Sequence, residues 1–196
     1  MKRIIRRTVL AAVILILSGC GRGAQPEEEI DGGVKNNTNY DAPKSIESTE
    51  ITSFYCEFST LALLEEDTFL GNRVYQLSAC LEDGIAKGNY KMYGQDVWRE
   101  ESFVVESSFM EALQEIVQKY DFAENNGRSY DVSGLPDKYG AILKVEYQSG
   151  ESIYASDNQE NFLSIAAMEE LESLFREMLK VTEEENENQE IKNEKK

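Results

Sequence analysis

The residue types that could do chemistry in this chain are restricted, because none of its 196 residues is a histidine. Histidine is the commonest general base and the usual nitrogen ligand of zinc and copper. Serine–histidine and cysteine–histidine catalysis are therefore excluded, and an enzyme would have to use carboxylates, lysines or tyrosines. Aspartate and glutamate together number 37, so some carboxylate pair is always available and the sequence singles out no catalytic residue.

Two acidic runs offer oxygen atoms that could bind a metal ion. Glu65-Glu66-Asp67 lies in a predicted loop, and residues 157–161 (DNQEN) precede the last predicted helix. Neither run has the spacing of an EF-hand loop. Asp and Asn before a helix commonly accept hydrogen bonds from its free N–H groups. We therefore predict helix capping and solvated surface here, with no metal site and no cofactor.

The most specific reactive residue is Cys20. Four basic residues precede an apolar run over residues 9–17, and the run ends in Leu17-Ser18-Gly19-Cys20. A run of this length is too short for a bilayer span, which takes roughly 20 residues, but it suits the core of a signal peptide. The ending resembles the lipobox of bacterial lipoproteins at all four positions. The resemblance implies that residues 1–19 are removed and that Cys20 carries a diacylglyceryl lipid.

A lipidated Cys20 would fix the location of the protein. One acyl chain binds a membrane only marginally, whereas two chains give stable attachment. We expect the chain to be anchored in this way at the extracellular face of a bacterial cell membrane. The alternative is an ordinary secretory signal in which Cys20 is incidental.

The net charge of −17 limits the partners of the protein. Nucleic-acid binding needs clusters of lysine and arginine, and so does electrostatic attraction to anionic lipid. We expect neither, and we interpret the acidity as a solvated surface that keeps the protein soluble.

Cys56 and Cys80 remain as an even pair in an oxidising location. A disulfide between them would close a loop of about 25 residues. Both cysteines also lie in apolar, strand-like segments, where a free cysteine is an ordinary small core residue. The sequence leaves the disulfide open.

A short span of aromatic and basic residues is the candidate binding patch. It contains Tyr90, Tyr93, Trp98 and Arg99. If exposed, these side chains would form a surface that contacts a protein or stacks on a sugar. If buried, they are ordinary core residues.

Two polar segments flank one predicted domain. Residues 20–50 are rich in Gly, Asn, Ser and Glu and predict a disordered acidic tether behind the lipidated cysteine. Residues 181–196 predict a disordered charged tail. Residues 51–180 lie between them and are long enough to fold around a single core.

Hydrophobic periodicity predicts strands at the start of this domain. Residues 51–60 and 73–81 alternate apolar and polar side chains. Asp83-Gly84 then predicts a tight turn into residues 85–93. A further strand is predicted over residues 98–105.

Two amphipathic helices follow from helical spacing of apolar residues. Ser108, with Glu111 at the third helical position, predicts a capping box that opens the first helix. The second helix covers about residues 164–180.

Residues 141–156 predict a hairpin between the helices. Ser149-Gly150 suits a two-residue turn, which places Val145 opposite Tyr154. The predicted order is β-β-β(-β)-α-β-β-α. It indicates the α+β class, with an antiparallel sheet of hairpins and two amphipathic helices packed on one face as a two-layer sandwich.

The domain resembles uncharacterised lipoproteins of Gram-positive anaerobes, which combine a lipobox and an acidic tether with a small domain. The resemblance rests on Gly134-Leu135-Pro136-Asp137, Gly140 and residues 147–156 (YQSGESIYAS). It implies the same fold and location, and it implies no activity.

The sequence therefore predicts a membrane-anchored, non-catalytic binding module whose partner is an extracellular protein or glycan. The alternatives are a carboxylate-dependent hydrolase of the cell envelope and an accessory subunit of a membrane complex. A pocket holding two carboxylates about 5–9.5 Å apart would favour the hydrolase. An open sheet with an exposed aromatic patch would favour the binding module.

Overall fold

The computed structural model describes residues 33–61, 69–94, 97–134 and 139–194. Residues 1–32, with Cys20, lie outside these ranges, and so do Glu65-Glu66-Asp67 and Leu135-Pro136-Asp137. In chain order the elements are β1 (Val34–Asn36), β2 (Ile51–Ser59), β3 (Val74–Glu82), β4 (Ile85–Gly94), β5 (Val97–Glu106), α1 (Ser108–Lys119), a 3-10 helix (Phe122–Asn125), β6 (Ser129–Val132), β7 (Ala141–Tyr147), β8 (Ser152–Asp157) and α2 (Ile165–Glu194).

The strands form one eight-stranded sheet in the order β1-β6-β8-β7-β2-β3-β4-β5. Neighbouring strands are antiparallel except for β6 and β8, which run parallel. The predicted α+β class is confirmed. The prediction of a purely antiparallel sheet of hairpins is wrong, because the sheet is larger and mixed.

The two unpredicted strands, β1 and β6, lie together at one end of the sheet. They are short, and the side chains of β1 are all exposed. Their pairing rests on backbone hydrogen bonds and not on an alternating apolar face. The sequence of residues 128–139, which contains β6, is therefore typical of a loop between two elements.

The helices cover one face of the sheet. Phe175 of α2 packs against Phe54 of β2, Phe103 of β5 and Phe109 of α1, with ring centroids 5.2–6.2 Å apart. All four rings belong to a single buried core. The side chains that point away from the helices form the other face of the sheet, which we call the outer face.

Residues 33–50 form a segment along the sheet that we call the N-terminal strap. Beyond β1, Asn37 N donates to Ser129 O and Asn39 N to Gly127 O, both at 2.8 Å. The strap therefore belongs to the folded domain and not to the predicted disordered tether. The polar composition of the strap gave no indication that it is folded, because backbone groups supply most of its contacts.

Helix α2 continues to Glu194, beyond the predicted end near Lys180. The predicted tail is thus helical over residues 181–194. This segment contains no Gly or Pro, and six of its 14 residues are Glu, which favours helix. Among the side chains of α2 that the structure describes, those up to Lys180, the last buried apolar one is Leu179. Apolar periodicity therefore indicated only the first part of the helix.

The β7–β8 hairpin has a different register from the predicted one. Val145 lies opposite Ile153, and Tyr154 lies opposite Lys144 on the outer face. Tyr147 N donates to Glu151 O and Gly150 N to Tyr147 O, with Gly150 at φ +86°. The loop therefore has three residues ending in a left-handed glycine, which shifts the pairing by one position.

The start of α1 also differs from the prediction. Ser108 is the first helical residue and Ser107 is the N-cap, with no side-chain hydrogen bond to the helix. The predicted capping box of Ser108 and Glu111 is therefore not formed.

Candidate functional site: the outer face of strands β4 and β5

Strands β4 and β5 form a ladder from Ile85↔Glu106 to Gly94↔Val97. Alternate pairs of this ladder lie on the outer face, which we call the β4–β5 strip. Its pairs are Tyr93–Trp98, Lys91–Glu100, Asn89–Ser102, Lys87–Val104 and Ile85–Glu106. The strip therefore has an aromatic pair at one end, a polar centre and aliphatic side chains toward the other end.

Large apolar side chains are unusually exposed in these two strands. Trp98 is 67 % exposed, Val104 60 % and Ile85 46 %, and Val97 at the start of β5 is 41 % exposed. In contrast, the inner-face side chains Ala86, Tyr90, Met92 and Phe103 of the same strands are almost fully buried. Val104 and Ile85 are diagonal neighbours at one end of the strip, and Trp98 lies beside Tyr93 at the other end. Exposed apolar clusters of this kind are typical of an interaction surface.

The structure divides the four residues of the predicted patch between the two faces. Tyr93 and Trp98 are cross-strand partners on the outer face. Tyr90 is buried on the inner face, where its hydroxyl donates to Glu172 Oε1 at 2.9 Å. Arg99 also belongs to the inner side and forms an ion pair with Glu101. Side chains alternate between faces along a strand, so four residues close in sequence do not share one surface.

The charges along this strip are matched in pairs. Lys91 Nζ lies 3.5 Å from Glu100 Oε2, and Lys87 Nζ lies 2.5 Å from Glu82 Oε2. The hydrogen bond from Lys87 lowers the pKa of Glu82, and the same bond raises the pKa of Lys87. The strip is therefore close to electrically neutral in a molecule of net charge −17.

The β4–β5 strip also contains a free strand edge. β5 is the last strand of the sheet, and within the described ranges it pairs only with β4. Half of its backbone N–H and C=O groups therefore point away from the sheet. An unpaired edge of this length can accept a further strand from another chain.

A second candidate is a polar cleft of about 710 Å³ at the β1–β6–β8 end of the sheet. Arg128 Nη2 lies 2.6 Å from Asp157 Oδ2 and 2.8 Å from Glu160 Oε2. Arg128 Nε also donates to Asp157 Oδ2, at 2.9 Å. Nothing in the sequence indicates this ion-pair cluster, because the Gly and Ser on either side of Arg128 are typical of a loop.

The most buried carboxylate of that cleft, Asp157, is already engaged. Asp157 is 3 % exposed, and its Oδ1 accepts hydrogen bonds from the backbone N–H groups of Gln159 and Glu160, both at 2.9 Å. Both of its oxygens are thus occupied, which leaves no free lone pair for a nucleophile or a general base. The geometry identifies a structural ion pair.

The other predicted site residues are placed as follows. Cys56 is buried on the inner face, where burial raises the pKa of its thiol, whereas Cys80 is paired with Ser53 on the outer face. Both thiols are free, and the sheet separates them. Residues 157–161 do not cap α2, because Ser164 Oγ accepts the hydrogen bond from Ala167 N. No group of three Asp, Glu or Cys side chains within the described ranges could hold a metal ion.

Comparison with known proteins gives no match: no family model, curated protein or solved structure is significantly similar to this chain. Within the part of the chain that the structure describes, no helix combines the length and apolar character needed to cross a membrane.

Proposed function

We propose that the protein is a lipid-anchored module at the extracellular face of a bacterial cell membrane and that it binds a protein partner through the β4–β5 strip. The anchor is Cys20, on the sequence argument given above. One observation supports the binding role most strongly. The only tryptophan of the chain, Trp98, is 67 % exposed on a face of the sheet that no described element covers.

The chemistry of the strip favours a protein that contributes an extended segment. Trp98 and Val104 lie six positions apart on β5, a separation of about 20 Å at roughly 3.3 Å per residue. Aromatic and aliphatic anchors of this kind supply most of the affinity of protein interfaces. The open edge of β5 between them offers backbone hydrogen bonds to an added strand. The paired charges of Lys87 and Lys91 fit a partner segment of low net charge.

A glycan partner is a second candidate, favoured by the adjacent Tyr93 and Trp98 rings at one end of the strip. Aromatic faces are common stacking surfaces for sugars, and Lys91 and Glu100 beside them could hydrogen-bond hydroxyl groups. This candidate does not use Val104 or the β5 edge. The third reading, a carboxylate-dependent hydrolase, finds no support at the Arg128 cleft because Asp157 is fully engaged there.

Site-specific photocrosslinking on living cells tests the proposal. A photoreactive amino acid replaces Val104 in one variant and Tyr154 in the control. Tyr154 lies on the same outer face and is 46 % exposed, but it belongs to β8 at the other side of the sheet. We expect one protein adduct from position 104 and none from position 154.

Affinity measurements with the captured protein complete the test. Trp98→Ala and Val104→Lys should each weaken binding at least about tenfold, with Tyr154→Ala unchanged. Equal affinity of all variants would contradict the proposal. A loss with Trp98→Ala alone, together with binding of a wall polysaccharide, would favour the glycan.

A further inference from the structure

A separate cleft of about 310 Å³ lies between the N-terminal strap, α1 and the β7–β8 hairpin. Its apolar walls come from Ile46 of the strap, Val117 of α1 and Ile153 of β8. Sites for small molecules have volumes of roughly 300–1,000 Å³ and are lined mainly by apolar groups with a few polar ones. By volume the cleft is a compact site of this kind, and its ten lining residues are divided evenly between apolar and polar types.

The polar group that matters in this cleft is the side chain of Gln114. Gln114 lines the cleft from α1 and is only 6 % exposed. Its Oε1 is buried and accepts no hydrogen bond from any residue that the structure describes. A buried acceptor without a partner is unfavourable, so a donor group that reaches it would be bound with a clear gain.

We propose that this cleft binds a small apolar molecule that carries one uncharged hydrogen-bond donor, such as a phenol or an alcohol. The donor pairs with Gln114 Oε1, which has almost no accessible surface and is brought to the cleft by a rotation of the Gln114 side chain, and the apolar body packs against Ile46, Val117 and Ile153. An uncharged donor is required because an ionic group would lose its hydration next to these apolar walls. The charged residues of the cleft, Lys44 and Asp121, are exposed and so lie at its rim.

Gln118 gives the proposal a matched control. It is the same residue type one helical turn after Gln114 and lines the same cleft, but its side chain is exposed to solvent. A hydrogen bond from a ligand to Gln118 would take the place of a hydrogen bond that Gln118 makes to water. It would therefore change the affinity little. Only Gln114 should discriminate ligands by their donor group.

Titration of the full-length protein by NMR, with two probes of similar shape, tests this inference. The probes are p-cresol, which has a hydroxyl donor, and 4-methylanisole, in which a methyl group replaces the donor hydrogen. We expect p-cresol to bind about tenfold more tightly and to shift the resonances of Gln114, Val117 and Ile153. Gln114→Leu should abolish this preference, and Gln118→Leu should leave it intact.

Three results would overturn the inference, and two of these can be obtained with the unaltered protein. The first is that the two probes bind the unaltered protein with equal affinity. The second is that p-cresol does not bind at any concentration up to its solubility limit. A preference that survives Gln114→Leu would also exclude the proposed contact. Each outcome is independent of partner binding at the β4–β5 strip.

Discussion

At the scale of single residues, Asn126 joins three segments of the chain. Its side chain is 6 % exposed. Its Nδ2 donates to Pro43 O of the N-terminal strap at 2.9 Å and to Ser152 O of β8 at 3.2 Å, and its Oδ1 accepts from Tyr154 N at 2.9 Å. Gly127 beside it has φ +84°, and a Cβ there would lie 2.3 Å from Asn39 O. Asn126 and Gly127 together therefore allow the strap to lie against the sheet.

Asn126→Ala should lower the free energy of unfolding by about 3 kcal/mol, because it leaves several buried backbone groups without a partner. Asn125→Ala is the matched control and should cost less than about 0.5 kcal/mol. Urea unfolding of both variants measures the difference. Equal stability of the two variants would show that the Asn126 hydrogen bonds do not hold the strap.

Glu151 provides a second, pH-dependent contact with the strap. Its carboxylate accepts hydrogen bonds from Glu47 N at 3.0 Å and Ser48 N at 3.1 Å, and from Ser149 Oγ at 2.8 Å. The hydrogen bond from Glu47 N, followed by those from Ser149 and Ser48, lowers the pKa of Glu151 in the folded protein.

A folded-state pKa below the unfolded value of about 4.3 means that Glu151 stabilises the fold above that pH. The stabilisation is lost as the pH falls through the lowered folded-state pKa. Glu151→Gln should therefore be less stable than the unaltered protein at pH 7, with the difference shrinking toward pH 3. Thermal unfolding over this range measures the effect, and Glu146→Gln controls for the change in net charge. A difference that stays constant with pH would exclude the carboxylate as its source.

At the scale of elements, the sequence indicates those that bury an apolar face. Strands β2, β3 and β4 alternate clearly, and the turn between β3 and β4 has Asp83 at φ 52° and Gly84 at φ 78°, as the predicted tight turn requires. Strand β1 and the rest of the strap are held mainly by backbone groups and by single polar side chains. Those contacts leave no periodic pattern, so the strap could not be predicted.

The candidate site was predictable only in part, for a related reason. The cluster of Tyr93 and Trp98 stands out in sequence, but the assignment of each residue to a face depends on the pairing of β4 with β5. The Arg128–Asp157 ion pair joins the residue before β6 to the last residue of β8, a strand parallel to β6, and nothing local to Arg128 indicates its partner. Gln114 likewise belongs to an ordinary amphipathic helix, and only its position beside the strap makes it distinctive.

Truncation tests the place of the strap in the fold. A chain that starts at Gly33 should keep the whole strap, whereas a chain that starts at Ile51 loses it. The second should unfold with a free energy lower by about 3 kcal/mol and a Tm lower by roughly 6–12 °C, given the usual cost of unpaired backbone groups. Calorimetry of the two proteins makes the comparison. An equal Tm would mean that the strap adds nothing to the domain.

At the scale of the whole molecule, the two faces of the sheet have different environments. The inner face is covered by α1 and α2 and carries the core. The outer face carries paired charges and, at the β4–β5 strip, the most exposed apolar side chains of β4 and β5.

The proposed anchor is tested by Cys20→Ala. Without a thiol to lipidate, the protein should pass from the membrane fraction to the medium, because only the acyl chains hold it at the bilayer. Fractionation of cells that express either form, followed by immunodetection, measures the shift. Retention of the variant on membranes would contradict a lipid anchor at Cys20.

Hydrogen exchange along β5 tests the binding role most directly. The measurement compares the protein purified in detergent with the same protein on intact cell membranes. We predict that the backbone amides of β5 that face away from β4 exchange quickly in the purified protein and become protected on membranes. The exchange of the β8 amides should be the same in both states. Equal exchange of β5 in both states would show that no partner strand occupies this edge and would contradict the proposed function.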